Sequence, residues 1–81
     1  MKLPRDIGGE ELAGLLVRYG YQKERQTGSH VRLTSTLKGS PHHLTVPRHR
    51  PLKVGTLSGI LSEVASYLEV DRKTIIAELF K

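Results

Sequence analysis

Cysteine and tryptophan are absent from this 81-residue sequence, and aromatic side chains are scarce, with three tyrosines and one phenylalanine. Without cysteine the chain can form neither a disulfide framework nor a thiolate zinc site, which is typical of proteins from a reducing cytoplasm. The scarcity of aromatic residues argues against the stacking platform on which single-strand binders hold successive bases. A chain this short buries only about 60% of the surface that its unfolded form exposes, so we expect a thin core without a deep active-site cavity.

Long hydrophobic runs are missing as well. No stretch approaches the roughly 20 apolar residues that a membrane-spanning helix needs. The first residues, MKLPRDIGGEE, lack the apolar centre of a signal peptide. We therefore expect a soluble cytoplasmic protein that forms a single domain over residues 1–81 and has no membrane partner.

Basic side chains are in excess, and they are unevenly placed. The net charge is +5, and residues 51–81 carry equal numbers of acidic and basic side chains, so the whole excess lies in residues 1–50. The central region contains all four histidines, a single acid, Glu24, and eight basic residues: Arg18, Lys23, Arg25, Arg32, Lys38, Arg48, Arg50 and Lys53. This pattern favours a surface for a polyanion, either nucleic acid or an acidic protein, with a solvated surface that merely aids solubility as the alternative.

Apolar residues at helical spacing predict three helices. The first stripe runs from Leu12 to Tyr19, and Gly20 fits the left-handed residue that commonly ends a helix. The second stripe runs from Leu57 to Leu68, and a short third helix follows Asp71, which can cap it.

Three strands are expected between the first two helices. Residues 30–36 alternate between apolar and polar side chains, and the segment HHLTVP repeats that pattern until Pro47 ends it. Residues 21–26 have the length of a strand but a less regular alternation, and the three-residue loop TGS, with Gly28 at positive φ, would join them to the next strand. The order of elements predicts an α+β fold in which helices cover one face of a three-stranded antiparallel sheet.

One histidine stands at the head of the second strand, directly after the expected turn. By alternation, His30, Arg32, His43 and Thr45 share the face opposite the helices, which a single-layer sheet leaves open to solvent. Histidine side chains exchange protons near neutral pH, and a neutral imidazole can accept the 2′-hydroxyl proton when RNA is cleaved. By position alone, however, a hydrogen-bonded turn residue is the more common role.

Four short motifs follow one another along the chain. They are Gly20 with Tyr21, RQTGSH at residues 25–30, VPRH at residues 46–49 and GTL at residues 55–57. In this order they resemble the HicA family of toxin mRNA interferases, and the resemblance extends from about residue 3 to residue 61. It implies a double-stranded-RNA-binding-domain-like fold, ribonuclease activity on mRNA and a HicB-type antitoxin as partner. It also implies that His30 is the catalytic histidine.

Further residues are candidates for contact with RNA. Gly28 and Ser29 complete the motif around His30, with Gly28 as the turn that exposes the imidazole. His49 matches a family position, where a phosphate contact, a partner contact and a turn-stabilising role all stay open. Four basic residues could bind phosphate or could simply be solvated charges: Arg25, Arg32, Arg48 and Lys53. Ser29 is not expected to be a nucleophile, because adjacent side chains on a strand point apart.

Neither a metal ion nor another cofactor is expected. His42 and His43 would point to opposite faces of their strand, and no carboxylate lies between Lys38 and Lys53. RNA carries its own nucleophile, the 2′-hydroxyl, so its cleavage does not demand a metal ion.

The sequence departs from the family pattern after Leu61, where it is longer than usual. The extension, about residues 69–81, has the apolar spacing of additional core, and formation of a homodimer or contact with a different partner are the alternatives. Two other functions also stay open for the chain, a non-catalytic RNA-binding module and a protein-interaction domain.

Overall fold

The computed structural model describes residues 3–80, and within that range the chain forms three helices and three strands. The helices are α1 (Gly9–Val17), α2 (Val54–Leu68) and α3 (Arg72–Leu79). The strands are β1 (Gln22–Thr27), β2 (His30–Ser35) and β3 (His42–Pro47). The order α1-β1-β2-β3-α2 is that of a double-stranded-RNA-binding-domain-like fold, and α3 is added to it. The predicted α+β fold is confirmed.

The sheet is antiparallel with the strand order β1-β2-β3, and its two faces differ in burial. Val31 and Leu33 of β2 and Leu44 and Val46 of β3 are buried in the core, whereas the residues between them are largely exposed. Helix α1 contacts all three strands, and α2 contacts β3. The helices therefore cover one face of the sheet, and the opposite face is open to solvent.

A bulge in β1 explains why its alternation is irregular in the sequence. Lys23 pairs with Leu33, whereas Arg25 pairs with Arg32, so Glu24 and Arg25 together stand opposite a single residue of β2. An extra residue of this kind reverses the alternation of the strand beyond it. Arg25 therefore shares the open face with Arg32, although Lys23, two residues earlier, is on the helix-covered side.

The β1–β2 turn differs from the predicted one. Thr27 pairs with His30, so the loop contains two residues, Gly28 and Ser29, rather than three. The φ angle of Gly28 lies outside the left-handed region, and a Cβ atom there would meet nothing within 4 Å. The prediction that Gly28 supplies a positive φ is therefore wrong, although two-residue hairpin loops commonly need that conformation. Gly20, by contrast, has a φ of 97° after α1, as predicted.

Helix α3 and Tyr21 both belong to the hydrophobic core. Ile75, Ile76 and Leu79 of α3 lie in the same cluster as the buried residues of the sheet and of the other helices. The segment beyond α2 therefore adds core to the fold. Tyr21, just before β1, is the largest fully buried side chain among the described residues, and its hydroxyl lies 2.8 Å from Nδ1 of His42.

Tyr21 should make the protein lose stability in alkali. Burial, together with the nearby Tyr67 and Glu63, raises the pKa of Tyr21 to about 12. Below pH 10 the phenol is neutral in both states; above it, ionisation favours the unfolded chain, whose tyrosine has a pKa of about 10. We expect Tyr21 to lower the free energy of unfolding by roughly 2 kcal/mol between pH 10 and pH 12. Urea unfolding measures the free energy of unfolding across this range, and it should fall less steeply with pH in Tyr21→Phe than in the wild type. Equal falls in the two proteins would contradict the prediction.

Candidate nucleic-acid interface

The open face of the sheet contains a shallow groove to which all three strands contribute. Its volume is about 630 Å³, within the range typical of ligand-binding clefts. The lining residues are Glu24, Arg25, Thr27, His30, Arg32 and Thr45. The structure thus brings together three of the residues predicted from the sequence, His30 and the two arginines, in a solvent-exposed depression rather than a closed cavity.

Two cross-strand pairs build the centre of the groove. Arg25 is opposite Arg32, and Thr27 is opposite His30. Side chains paired in this way have Cβ atoms about 4.5–5.5 Å apart, and both arginines line the same groove as the imidazole of His30. Glu24 lies 3.8 Å from Nε of Arg32, but both side chains are about half exposed, and such a pair contributes little energy. The groove is thus a basic surface that contains one acid.

The imidazole of His30 is exposed and is held at one ring nitrogen. Its Nδ1 lies 2.9 Å from the hydroxyl oxygen of Ser29. The expectation that these two side chains point apart is wrong, because Ser29 belongs to the loop and not to the strand, so alternation does not govern it. Among the described residues, no other side chain forms a hydrogen bond with this ring, and its Nε2 has no partner there.

Arg48, His49 and Lys53 do not line the groove. Arg48 follows β3 and contacts the β1–β2 loop: its main-chain N–H donates to the Ser29 carbonyl at 2.8 Å, and Nη1 donates to the Gly28 carbonyl at 3.0 Å. The His49 carbonyl accepts a hydrogen bond from the N–H of Gly9 at 3.0 Å. The side chains of His49 and Lys53 are exposed outside the groove.

Sequence reasoning missed two residues of the groove and one beside it. Glu24 and Thr27 line the groove because the bulge and the two-residue loop set their register. Glu10 of α1 reaches Arg48, with Oε2 3.2 Å from Nη2. The register of β1 follows from pairing with β2, and the contact of Glu10 joins residues 38 positions apart, so no local signal marks either feature.

A family model described as the HicA toxin of bacterial toxin-antitoxin systems matches residues 9–65, more than half of the chain. The chain belongs to the HicA family. The resemblance carried by the four motifs is thereby confirmed, and the matched range contains the groove, His30 and most of α2, but not α3. A HicA toxin is one half of a toxin–antitoxin pair, so an antitoxin is its implied partner. Comparisons with curated proteins and with solved structures returned no significant match.

Residues 3–80 contain neither a membrane-spanning helix nor a cluster of metal-ligating side chains. None of the helices in this range combines the length and the apolar character needed to cross a bilayer. In the same part of the chain, no three His, Cys, Asp or Glu residues come together as a metal site requires.

Proposed function

We propose that this HicA toxin is a metal-independent endoribonuclease that cleaves mRNA, with His30 as general base or acid. One observation carries the proposal: an exposed imidazole, oriented at Nδ1 by a hydroxyl, lies beside two arginines in an open groove of a toxin-family chain. The positive groove attracts the phosphate backbone, and its openness suits a long flexible chain better than a small metabolite.

The reaction that suits this groove is attack by the RNA's own 2′-oxygen. Nε2 of His30 accepts the 2′-hydroxyl proton while the oxygen forms a bond to the adjacent phosphorus. The bond from phosphorus to the 5′-oxygen breaks, and that oxygen takes up a proton from water or from the imidazolium. The guanidinium groups of Arg25 and Arg32 stabilise the charge that develops on the phosphate oxygens. The products are a 2′,3′-cyclic phosphate and a 5′-hydroxyl.

RNA digestion in the presence of a chelator tests this proposal directly. The substrates are one RNA, the DNA of the same sequence and the same RNA with 2′-O-methyl groups throughout. We expect only unmodified RNA to be cleaved, with 2′,3′-cyclic phosphate ends. Intact RNA that nevertheless binds the protein would favour a non-catalytic RNA-binding module. Neither cleavage nor binding at physiological salt would favour a protein-interaction domain.

A HicB-type antitoxin is the partner that we propose for the same face. The excess positive charge of residues 1–50 suits a more acidic protein, and charge complementarity of this kind speeds association and selects the partner. An antitoxin seated on the groove would cover His30 and exclude RNA. Competition between RNA and the antitoxin for the purified toxin tests this arrangement.

The two groove arginines should account for part of the salt dependence of RNA binding. Each phosphate contact to a single strand contributes about −0.7 to the slope of log affinity against log salt. In a His30→Ala background, which we expect to keep the RNA intact, Arg25→Gln and Arg32→Gln should each make the slope shallower by about 0.7. Filter binding from low to physiological salt measures the slope.

Lys73→Gln is the matched control, because it removes one exposed positive charge on α3, outside the groove. Its slope should equal that of the parent. Equal changes in all three variants would show that RNA responds to net charge alone and would contradict binding in the groove.

A further inference from the structure

We infer that Arg48 is a positioning residue that braces the His30 loop against α1, and that it does not bind RNA phosphate. Glu10 is the other half of this brace. The inference rests on the proposed function of His30 and deepens it, since it concerns how the imidazole is held for proton transfer.

One residue holds both carbonyl groups of the two-residue loop. The main-chain N–H of Arg48 donates to the Ser29 carbonyl at 2.8 Å, and its Nη1 donates to the Gly28 carbonyl at 3.0 Å. The loop matters for His30 because the hydroxyl that contacts the imidazole belongs to Ser29. Of these two contacts with the loop, only the one to the Gly28 carbonyl depends on the side chain of Arg48. By holding the loop main chain at Gly28, the guanidinium restrains the neighbouring Ser29, whose hydroxyl contacts the ring.

The other end of the brace is the half-exposed carboxylate of Glu10, on a helix that is held by the core. Nη2 of Arg48 lies 3.2 Å from Oε2 of Glu10, in the first turn of α1. The same turn is fastened to the chain around Arg48, because the N–H of Gly9 donates to the His49 carbonyl at 3.0 Å. Helix α1 is in turn fixed by buried residues such as Leu12. The loop is thus tied to a rigid element on the helix-covered side.

These contacts occupy the guanidinium that a phosphate would need. The side chain of Arg48 is 33% exposed, and both of its terminal nitrogens already have oxygen partners. Arg50, two residues later, carries the same charge on a side chain that is 80% exposed and reaches Glu11 only at 4.0 Å. Arg50 is therefore the matched control: it lines the same cleft as Arg48 and Gly28, but among the described residues it forms no hydrogen bond to the loop.

The decisive variants are Arg48→Lys, Glu10→Gln and Arg50→Gln, assayed by single-turnover cleavage and by RNA binding. Arg48→Lys keeps the charge and the main-chain N–H that donates to the Ser29 carbonyl. It loses the paired guanidinium contacts to the Gly28 carbonyl and to Glu10, which a lysine cannot reproduce. We expect it to lower the maximal cleavage rate by about 10- to 100-fold, because misplacement by about 1 Å can cost 100-fold. The affinity for RNA and the salt slope should stay unchanged.

Glu10→Gln should also lower the maximal cleavage rate. The double variant should cleave only slightly more slowly than Arg48→Lys, because the two residues act as a unit. Arg50→Gln should cleave at the wild-type rate. Should Arg48→Lys fold poorly, as seen by circular dichroism, Glu10→Gln still tests the brace because its carboxyl is replaced by an amide of the same shape.

An unchanged rate together with weaker RNA binding in Arg48→Lys would overturn the inference, because it would show that Arg48 binds phosphate. Backbone ¹⁵N relaxation of Gly28, Ser29 and His30 gives a readout that needs no activity, and we expect greater loop motion in Arg48→Lys but not in Arg50→Gln. Unchanged motion would also overturn the brace. If His30→Ala cleaves RNA as the wild type does, the proposed function fails, and the relaxation experiment still decides whether the brace exists.

Discussion

His30→Ala should reduce RNA cleavage by about 10² to 10⁴-fold, the usual contribution of a positioned general acid or base. The imidazole is exposed, so its removal should change the free energy of unfolding by no more than about 0.5 kcal/mol. The measurement is single-turnover cleavage of end-labelled RNA in a chelator, with urea unfolding to confirm the fold. RNA affinity should be retained, because the arginines of the groove are untouched.

His43→Ala is the matched control for this experiment. His43 is an exposed histidine on the same sheet face, in β3, and its Nδ1 also contacts a hydroxyl, that of Thr34 at 2.9 Å. It differs from His30 in lying outside the groove lining, and its one contact with a lining residue is a half-exposed one, Nδ1 at 3.9 Å from Oε1 of Glu24. We expect wild-type cleavage by His43→Ala. Equal losses in the two variants, or no loss in His30→Ala, would contradict the assignment of His30.

The sequence predicts the sheet face that carries His30 because alternation is a local property. In β2 the buried residues Val31 and Leu33 stand two positions apart and mark the face that the helices cover. The side chains between and beside them must then point to the opposite, open face. The same reasoning fails in β1 at Glu24, where one extra residue reverses the alternation of side chains between the two sheet faces. Nothing in the residues QKERQT marks that position, since the bulge is decided by pairing with β2.

The environment of His30 could be predicted only in part, for a different physical reason. The motif RQTGSH identifies the residue, but its contacts depend on the loop and on a distant segment. Ser29 meets the imidazole because the hairpin register leaves two residues in the loop instead of three. Arg48 meets Glu10 because the chain after β3 passes the first turn of α1. Tertiary packing creates both contacts, so periodicity and spacing carry no signal for them.

The thin core also explains why the candidate site is an open groove. The apolar side chains of the single-layer sheet pack against the helices. The open face therefore lacks the apolar side chains that would line an enclosed cavity. A groove of this kind leaves the substrate half solvated. Exclusion of water and alignment of the phosphate must therefore come from the bound RNA and from side chains held in advance, which makes the support of the His30 loop important for the proposed reaction.

Gly9→Ala and Gly14→Ala should change the stability of the protein in opposite directions, although both glycines lie in α1. A Cβ atom on Gly9 would lie 1.7 Å from the Pro47 carbonyl oxygen, a main-chain atom that cannot move aside as a side chain can. We expect this overpacking to lower the free energy of unfolding by about 3 kcal/mol. A Cβ atom on Gly14 would meet nothing within 4 Å, so alanine there should raise the free energy by about 0.4–1 kcal/mol.

Thermal and urea unfolding of both variants measure the difference, and for a domain of this size the loss in Gly9→Ala corresponds to a fall of roughly 12–24 °C in Tm. Comparable stability of the two variants would contradict the close approach of α1 to Pro47. The displacement of the chain in Gly9→Ala should also affect RNA cleavage. Relief of the clash moves the chain that carries Arg48, so Gly9→Ala should cleave RNA more slowly than Gly14→Ala even at temperatures where both are folded.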